Sequence, residues 1–467
     1  MKLYNSITNT VEPIKSQEDG VVKIYSCGPT VYDSLHIGNL SAFIYADILR
    51  RAISYSGIET HHVMNITDID DKTIARSKQD HPGDEAKVAL TKLTSKYAQI
   101  FLDDIAATGV DIKEISFITA TESILDMTAM IQSILDNGYG YITDDGVYFS
   151  VDNYRSSGSK YGVLQDIDAS NSKSRIIDDE YDKNNASDFA LWKTAKSGEP
   201  SWDATFIYDD VPHKIVGRPG WHIECSAMSQ KLLDVPFDIH TGGIDLKFPH
   251  HENEIAQTKA ATGRDIASAF LHNAHVLVDG RKMSKSLNNF YTLRDIVSKE
   301  YDPMAFRLLV LSRHYRSEGH FTWEILEAAQ NRLNHWRETA ALVHQTDDES
   351  TDAKNVLKDA SQLLLDDLNS IGTLSHIEQI LSDHRAVSKR HKLASIVSEI
   401  ERLTGISIAV DDISNKQKLA ISKRQSAREA KDWKTSDEIR DSLLIEGVAL
   451  NDSADETTWY YTEPTAA

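Results

Sequence analysis

The only two cysteines of the chain, Cys27 and Cys225, lie in segments that also supply histidine and carboxylate side chains. Proline favours the first turn of a helix, so Pro249 predicts a helix start that places His250 and Glu254 four residues apart on one face. Two thiolates, one imidazole and one carboxylate form a ligand set that suits zinc. Cys27, Cys225, His250 and Glu254 are therefore the candidate metal ligands.

Other interpretations of these residues stay open at this point. Spacing alone also allows His251 as a ligand, and it does not exclude Glu252. Two isolated cysteines in an intracellular protein are more often buried and inert, and a single histidine or glutamate is more often a surface residue. The metal hypothesis depends on the whole set occurring beside the motifs that follow.

The first of these motifs is Pro-Thr-Val-Tyr-Asp-Ser-Leu-His-Ile-Gly-Asn, from Pro29 to Asn39, where a strand passes into a helix. A helix N-terminus offers free N–H groups and a partial positive charge to a phosphate. His36 and Asn39 can donate hydrogen bonds to a phosphoryl group. Gly38 lets a nucleotide approach closely because it has no side chain. Taken alone, the pattern more often belongs to an ordinary capped helix.

The second motif is Lys-Met-Ser-Lys-Ser, in which Lys282 and Lys285 flank small residues. Two lysines in a loop can stabilise the negative charge that shifts along a polyphosphate. The preceding Asp279-Gly280 predicts a tight turn that positions the loop. A lysine-rich loop is usually only solvated, so it is the pair of motifs that predicts an ATP site.

The elements that position these residues follow from hydrophobic periodicity. Residues 21–26 and 59–65 are β-prone runs, and residues 38–54 between them carry apolar side chains at helical spacing. Strand, glycine-containing loop, helix and strand form the beginning of a parallel α/β unit, with its ligand site at the carboxyl ends of the strands. We therefore predict an α/β fold with a Rossmann-type parallel-sheet catalytic domain that carries an insertion.

The rest of the chain is predicted from the same patterns. Residues 97–137 are predicted to be mostly helical, 139–152 to form a hairpin, 166–187 to form a polar loop or flexible insertion, and 237–244 and 275–278 to be strands. Long amphipathic helices are predicted at 322–344 and 354–368, separated by a polar linker at 345–352. This half is predicted to be an α-helical bundle domain, followed after residue 411 by a small C-terminal module.

Composition limits the possible classes of protein. The chain has 467 residues, of which 40% are hydrophobic and 26% charged, as in soluble globular proteins. Without an apolar signal segment at the N-terminus, a cytoplasmic location is expected. The net charge of −21 argues against nonspecific nucleic-acid binding. A basic segment at residues 416–434 suits the docking of one RNA at a defined place, or is simply a solvated helix face.

The order and context of His36-Ile-Gly-Asn39 and the lysine motif resemble the two signature motifs of class I aminoacyl-tRNA synthetases. Asn39 stands where the class has a second histidine, and its amide keeps a hydrogen-bond donor. Five further runs resemble the cysteinyl-tRNA synthetase family, and the resemblance covers essentially the whole chain. These runs are Cys27-Gly-Pro-Thr-Val-Tyr-Asp33, Met64-Asn-Ile-Thr-Asp-Ile-Asp-Asp-Lys72, Asp188-Phe-Ala-Leu-Trp-Lys193, Gly220-Trp-His-Ile-Glu-Cys225 and Phe248-Pro-His-His-Glu-Asn-Glu254.

This resemblance implies that ATP and L-cysteine form cysteinyl-adenylate and pyrophosphate, and that the cysteine then passes to tRNA-Cys. It implies catalytic roles for His36, Asn39, Lys282 and Lys285, which with Gly38 also bind ATP, and Mg²⁺ is expected together with the ATP. It implies one zinc ion on Cys27, Cys225, His250 and Glu254, and it places Thr67, Trp221, His240 and Asp245 around the substrate. Zinc on the substrate sulfur would separate cysteine from serine, for which packing alone provides only about 1–3 kcal/mol. Whether the zinc becomes five-coordinate or loses a ligand stays open.

The resemblance also implies a monomer with a catalytic domain at 1–320, a connective insertion at about 100–200, a helical tRNA-side domain at 321–410 and a tRNA-binding module at 411–467. Trp433, among the basic residues, is expected either to stack on an anticodon base or to belong to a core. Two departures are Asn288-Asn289, where the family has Gly-Asn, and a loose match at 452–460. Two alternatives stay open: a mycothiol-pathway ligase that joins cysteine to an amino sugar, and an inactive paralogue that only binds RNA or stores metal.

Overall fold

The computed structural model describes residues 1–165, 188–278, 280–283, 289–346, 353–453 and 456–462. The chain divides into two compact units. Unit 1 comprises residues 1–296, 315–320 and 365–368, and unit 2 comprises residues 297–314, 321–364 and 369–467. The predicted polar insertion at 166–187 and most of the predicted linker at 345–352 lie outside the described residues.

Unit 1 contains the strands and helices that precede residue 297, and a short strand that follows. Its strands are β1 (Lys2–Asn5), β2 (Thr10–Pro13), β3 (Val21–Ser26), β4 (Glu59–Ile66), β5 (Ile115–Thr119), β6 (Gly140–Thr143), β7 (Gly146–Phe149), β8 (Phe189–Thr194), β9 (Trp202–Tyr208), β10 (Val211–Pro219), β11 (Phe237–Gly243), β12 (Ala267–Asn273), β13 (Val276–Val278), β14 (Arg281–Lys282) and β15 (Gly319–Phe321). Its helices are α1 (Ile37–Tyr55), α2 (Asp71–Asp80), α3 (Ala86–Ala107), α4 (Ile124–Asp136), α5 (Val151–Ser156), α6 (Trp221–Leu233), α7 (Glu252–Thr262) and α8 (Leu293–Ser298).

The central sheet of unit 1 has the strand order β12-β11-β3-β4-β5, and every pair in it is parallel. The strand order reverses between β3 and β11, and ligands of open α/β sheets bind at such a point, beyond the carboxyl ends of the strands. The strands are apolar because both faces are covered: Ile24, Val63 and Ile239 have no exposed surface. The parallel sheet predicted from residues 21–65 is confirmed.

A second sheet lies between β5 and β11 in the sequence. Its order is β6-β7-β8-β10-β9, and each pair is antiparallel. The predicted hairpin at 139–152 is confirmed as β6 and β7. The sheet spans residues 140–219, whereas the insertion was placed at about residues 100–200 from the sequence.

Two secondary-structure predictions are wrong in part. Residues 97–137 were expected to be mostly helical, but strand β5 lies between α3 and α4 and forms the edge of the parallel sheet. Residues 354–368 were expected to form one helix, but Asp367 and Leu368 have φ of 54° and 51°. The Asp367 carboxylate accepts hydrogen bonds from the Tyr4 N–H (2.8 Å) and the Tyr315 hydroxyl (2.6 Å), which fixes this turn.

Unit 2 is mainly helical and ends in a hairpin. Its elements are α9 (Pro303–Leu311), α10 (Trp323–Ala340), α11 (Ala353–Val356), α12 (Lys358–Leu364), α13 (Ser370–His384), α14 (Leu393–Thr404), α15 (Asn415–Glu429), α16 (Trp433–Ile445), β16 (Val448–Asp452) and β17 (Thr457–Tyr461). Leu333, Trp336, Ile377 and Ile400 are buried between the helices, and each such side chain contributes about 1.5–3 kcal/mol. The predicted helical C-terminal region is thus confirmed, and the residues predicted to form a terminal module belong to the same unit.

Among the described residues, no helix combines the length and the apolar composition that crossing a membrane requires.

Candidate active site and metal centre

The four candidate metal ligands converge beyond the carboxyl end of β3. Cys27 follows β3, Cys225 lies in α6, His250 lies in the turn before α7, and Glu254 lies in the first turn of α7. The two Sγ atoms are 3.8 Å apart, the Cys27 Sγ is 3.8 Å from Glu254 Oε1, and the His250 Nε2 is 3.1 Å from the same oxygen. One donor atom from each residue lies within 4.8 Å of every other. Residues from three separate elements therefore offer one compact ligand set.

The turn before α7 positions two of these ligands. Residues Lys247–His251 form a π-helical turn, but Phe248 within it is extended, with φ −141° and ψ 134°. The continuous helical path therefore begins at Pro249, as the sequence predicted. His250 and Glu254 then lie one turn apart, in contact.

The donor set fits zinc. Two sulfurs each about 2.3 Å from a tetrahedral ion are about 3.8 Å apart, which matches the separation of the Cys27 and Cys225 sulfurs. Burial is the main cause that raises the pKa of both thiols, and the neighbouring Glu254 carboxylate raises them further. A buried cation would favour the thiolates and compensate this charge.

A second ligand set overlaps the first. Cys27, His240, His251 and Glu254 also bring donor atoms within 4.8 Å of one another, and His251 Nε2 lies 3.3 Å from the Cys27 Sγ. The alternative that His251 is a ligand therefore has support in the geometry. Glu252 is different: its carboxylate accepts the N–H groups of residues 162, 163 and 164 at 2.6–2.9 Å and so faces away from the cluster.

Two histidines without an assigned role in the sequence lie behind the cluster. The Nδ1 atoms of His222 and His250 are 2.8 Å apart, and His251 Nδ1 is 2.8 Å from His272 Nε2. Burial lowers the pKa of His222, His250 and His272 to about 3, so these imidazoles are neutral at physiological pH, as metal ligands must be. His222 lies inside the run Gly220–Cys225, which was the only sequence signal for it.

A pocket of about 420 Å³ opens beside the cluster. Cys27 lines it on one side, and Trp221 and Asp245, two of the predicted substrate residues, also line it. The Trp221 ring stacks on His250, with centroids 4.2 Å apart and 26° between the planes. Trp221 therefore joins the pocket to a candidate metal ligand.

The other two predicted substrate residues are buried and do not belong to the described lining of the pocket. The Thr67 hydroxyl donates to Glu224 Oε2 at 2.8 Å, and Thr67 is 1% exposed. His240 is buried, and its Nε2 is 2.8 Å from Glu254 Oε2. In this geometry Thr67 and His240 contact buried carboxylates, and their substrate contact stays a prediction.

The first nucleotide motif lines the same pocket. His36 is the N-cap of α1, where its Nδ1 accepts the Asn39 N–H at 3.1 Å, and Gly38 and Asn39 line the wall. Burial lowers the pKa of His36, which is therefore a neutral imidazole. A Cβ on Gly38 would lie 2.5 Å from the Met283 Cε and 2.9 Å from the His36 ring, so only glycine fits without displacement.

The segment around the second motif contacts the first. The Ile37 N–H donates to the Tyr291 carbonyl at 2.8 Å, and the Phe290 ring meets the His36 ring edge-on at 5.3 Å. Met283 lines the pocket beside Gly38. Lys282 lies in β14, opposite Leu277 in β13; its side chain, Lys285 and Asp279 lie outside the described part of the chain. The described residues thus bring the two motifs together at one wall.

Sequence reasoning assigned no role to other polar residues of the pocket. Tyr32, Asp33 and Lys72 line it, although all three lie in runs that carry the family resemblance. The Lys72 Nζ lies 5.7 Å from the centroid of the Tyr32 ring, and the Asp33 carboxylate is 3.9 Å from Arg76. Asp33 and Lys72 thus give the pocket one acidic and one basic side chain.

The basic segment of unit 2 is largely paired internally. Arg424, which is 2% exposed, forms a bidentate pair with Asp452, and Arg428 contacts the same carboxylate. Lys416 pairs with Glu446 at 2.8 Å. Trp433, at the start of α16, is 59% exposed, which excludes the core interpretation of this tryptophan.

Comparison with known proteins agrees with this fold. Residues 13–331 match the family described as tRNA synthetases class I (C) catalytic domain. Among solved structures, the LeuRS of Agrobacterium radiobacter K84, in a ternary complex with tRNA and LeuAMS, aligns with TM-score 0.56 over 84% of each chain at 10% identity. A Mycobacterium tuberculosis methionyl-tRNA synthetase bound by methionyl-adenylate aligns with TM-score 0.55 over 83% of this chain and 92% of that one, at 11% identity. The protein thus has the fold of a class I tRNA synthetase, which confirms the predicted fold class.

Curated relatives define the family more narrowly. The chain is 37% identical to the cysteine--tRNA ligase of Brachyspira hyodysenteriae over 98% of both chains, and 36% identical to that of Solibacter usitatus over 98% of this chain and 99% of the relative. The corresponding enzyme of Leptospira interrogans is 37% identical over 98% of this chain and 99% of the relative. The chain belongs to the cysteine--tRNA ligase family, as the sequence motifs predicted.

Proposed function

We propose that this chain activates L-cysteine with ATP, giving cysteinyl-adenylate and pyrophosphate, and then transfers the cysteine to tRNA-Cys. The observation that carries the proposal is a single pocket lined both by Cys27 of the metal-ligand cluster and by the His36-Ile-Gly-Asn39 motif. One end of this pocket suits a thiol side chain, and the other suits a nucleotide phosphate. Membership of the cysteine--tRNA ligase family supports the choice of substrates.

In the first step the cysteine carboxylate attacks the α-phosphorus of ATP, and the bond to the leaving pyrophosphate breaks. Negative charge builds on the phosphoryl oxygens, and donors held beforehand in a partly dry site stabilise it best. His36 and Asn39 are such donors at the N-terminus of α1, where the helix adds a partial positive charge. We assign Lys282 and Lys285 to the opposite side of the polyphosphate, with Mg²⁺ bound to the ATP.

We propose that Cys27, Cys225, His250 and Glu254 hold one zinc ion. Zinc, when bound, supplies a Lewis acid that prefers a thiolate over a neutral hydroxyl. The surrounding residues do the positioning: Trp221 stacks against His250, and the exposed Asp245 lies at the pocket wall, where its carboxylate suits the substrate ammonium group. Selection of cysteine over serine by more than about 200-fold would exceed what packing alone gives.

In the second step a ribose hydroxyl at the end of the tRNA attacks the carbonyl carbon of the adenylate, and AMP leaves. For tRNA binding we propose the predicted division into 1–320, 321–410 and 411–467, with Trp433 as the anticodon-side contact. Its 59% exposure at the start of α16 leaves the indole face available for stacking on a base. A monomer in the cytoplasm completes the proposal, and size-exclusion chromatography with light scattering tests the monomer.

The experiment measures charging of a tRNA-Cys transcript with labelled cysteine or labelled serine, together with pyrophosphate exchange. We expect cysteine charging that a strong chelator abolishes and zinc restores, with serine charging more than about 200-fold weaker. Cys225→Ser should lose metal and cysteine charging. Ser229→Ala, one turn further along α6 and equally buried, is the matched control and should keep both.

The two steps separate the alternatives. Adenylate formation without tRNA charging would favour the mycothiol-pathway ligase, which uses another acceptor. Loss of both steps in metal-loaded, folded protein would favour the inactive RNA-binding paralogue. Serine charging comparable to cysteine charging would overturn the role given to the metal while leaving the enzyme class intact.

A further inference from the structure

Cys27 and Cys225 lie close enough to react with each other. Their sulfurs are 3.8 Å apart, and a disulfide bond has a length of about 2.05 Å, so an approach of under about 2 Å completes the bond. The residues are 198 positions apart in the sequence, so the fold alone makes them neighbours. No other cysteine exists in the chain to compete.

The two thiols differ in access. Cys27 is partly exposed and lines the catalytic pocket, whereas Cys225 is 1% exposed inside α6. A small molecule that enters the pocket therefore meets Cys27 before Cys225. The Cys225 sulfur, 3.8 Å from that of Cys27, is placed to react second. One accessible thiol backed by one buried thiol is the arrangement that turns a mixed disulfide into an internal one.

We propose that this pair is an oxidative modification site at which a small organic disulfide converts Cys27 and Cys225 into an intramolecular disulfide. The Cys27 sulfur attacks one sulfur of the small disulfide, and one small thiol leaves. The Cys225 sulfur then attacks the Cys27 sulfur of the mixed disulfide, and a second small thiol leaves. Both protein thiols lose their hydrogens, and the small disulfide is reduced to two thiols, so that electrons and protons balance.

Metal binding and this oxidation exclude each other, because both consume the same two sulfurs. The disulfide therefore closes the metal site, and a bound metal protects the thiols. A small disulfide that enters the pocket can thus switch off metal loading without unfolding the protein. The inference depends on the thiol pair and the pocket wall alone, and it holds whichever substrate the enzyme takes.

The test treats the full-length protein with hydroxyethyl disulfide, both as isolated and after removal of metal with a strong chelator. Intact mass spectrometry and counting of free thiols follow the reaction, and a colorimetric chelator follows metal release. We expect the chelated protein to lose two hydrogens in mass and both free thiols, with no adduct retained. The metal-loaded protein should react at least about tenfold more slowly and release its metal in step with thiol loss.

Controls separate the folded geometry from simple thiol reactivity. Cys225→Ser should stop at a stable mercaptoethanol adduct on Cys27, and Cys27→Ser should react slowly because Cys225 is buried. The wild-type chain in guanidinium should carry two adducts, because a long flexible loop gives a low effective concentration. Two adducts in the folded chelated protein, or two thiols that stay free, would overturn the proposal. Circular dichroism before and after treatment checks that the fold persists, and dithiothreitol should restore metal binding.

Discussion

The carboxylate of Asp452 at the end of β16 holds a buried guanidinium in the C-terminal part of unit 2. It accepts two parallel hydrogen bonds from Arg424, at 2.8 Å and 2.7 Å, a third from Arg428, and a fourth from the Thr457 hydroxyl at 2.7 Å. Asp452→Asn keeps the shape but removes the charge, and it turns an NH₂ group towards guanidinium donors. We predict that this single change loosens the β16–β17 hairpin.

The magnitude follows from burial. Removing one partner of a buried ion pair costs about 3–5 kcal/mol, because the other charge stays buried without compensation. The Arg424 side chain is 2% exposed, but that of Asp452 is 23% exposed, so the lower end, about 3 kcal/mol, applies. At about 1.4 kcal/mol per tenfold, local opening should become about 100-fold more frequent. Thr457→Val removes one hydrogen bond to a charged group, which costs about 1.5 kcal/mol. Local opening should therefore become only about tenfold more frequent in this variant.

Hydrogen exchange followed by mass spectrometry measures this local opening directly. Protection of peptides that cover β16 and β17 should fall about 100-fold in Asp452→Asn and about tenfold in Thr457→Val, while peptides of β3 and β11 stay unchanged. Pyrophosphate exchange should also stay unchanged, since the pocket residues belong to unit 1. Equal protection of the hairpin in Asp452→Asn and wild type would refute the reasoning, because the pair would then contribute nothing measurable.

The same carboxylate predicts an acid dependence. Hydrogen bonds from Arg424, then those from Thr457 and the charge of Arg428, lower the pKa of Asp452 in the folded protein. A carboxyl group with a lowered folded-state pKa stabilises the fold fully above its unfolded value, about 3.9, and this stabilisation is lost as the pH falls further. The protection difference between wild type and Asp452→Asn should therefore persist at pH 5 and shrink below about pH 3.9.

Two further pairs of variants test the candidate site. Glu254→Gln should weaken zinc binding by at least about 100-fold in a competition assay with a chelator. Glu252→Gln, two residues away, should keep its zinc affinity. It should lose about 1–3 kcal/mol of stability, because the Glu252 carboxylate accepts hydrogen bonds from backbone N–H groups. The reverse pattern would exchange the two roles. Gly38→Ala should reduce pyrophosphate exchange by at least about tenfold, because the added methyl group would lie 2.9 Å from the His36 ring and displace it, while Gly83→Ala, which meets no atom within 4 Å, should have no effect. Normal exchange by Gly38→Ala would show that the position of the His36 ring is not critical.

Local patterns in the sequence were enough to predict the features that depend on neighbouring residues. The strand–helix–strand beginning, the hairpin at β6 and β7, and the one-turn spacing of His250 and Glu254 all follow from periodicity and from a proline. Strand β5 was missed because its five residues lie between two long helical patterns, although Ile-Ser-Phe-Ile-Thr is rich in residues that favour strands. A short strand flanked by helices is identified mainly by its partner, and a partner in the sheet is not visible in the sequence.

Pairings across long sequence distances could not be predicted. His222 and His272 gained a place at the site only because the fold sets them against His250 and His251. The charge of the basic segment predicted either an RNA-docking site or a solvated helix face, yet Arg424 is buried against Asp452, 28 residues away. Charge counts describe composition, whereas the tertiary fold decides which charges face solvent.

The turn from His250 to Glu254 has a consequence for how this enzyme can change over evolutionary time. Its residues His250, His251 and Glu254 offer donor atoms to the two overlapping ligand sets, and Glu252 accepts hydrogen bonds from the backbone of residues 162–164, which follow α5. Each residue added to or removed from a helix rotates everything beyond it by about 100°. A one-residue gap here would therefore break the contacts of Glu252 with residues 162–164 and separate the ligands in the same event. Single substitutions can therefore occur at this turn one after another, but the number of residues in it cannot change. This constraint would hold even for a descendant that no longer binds metal.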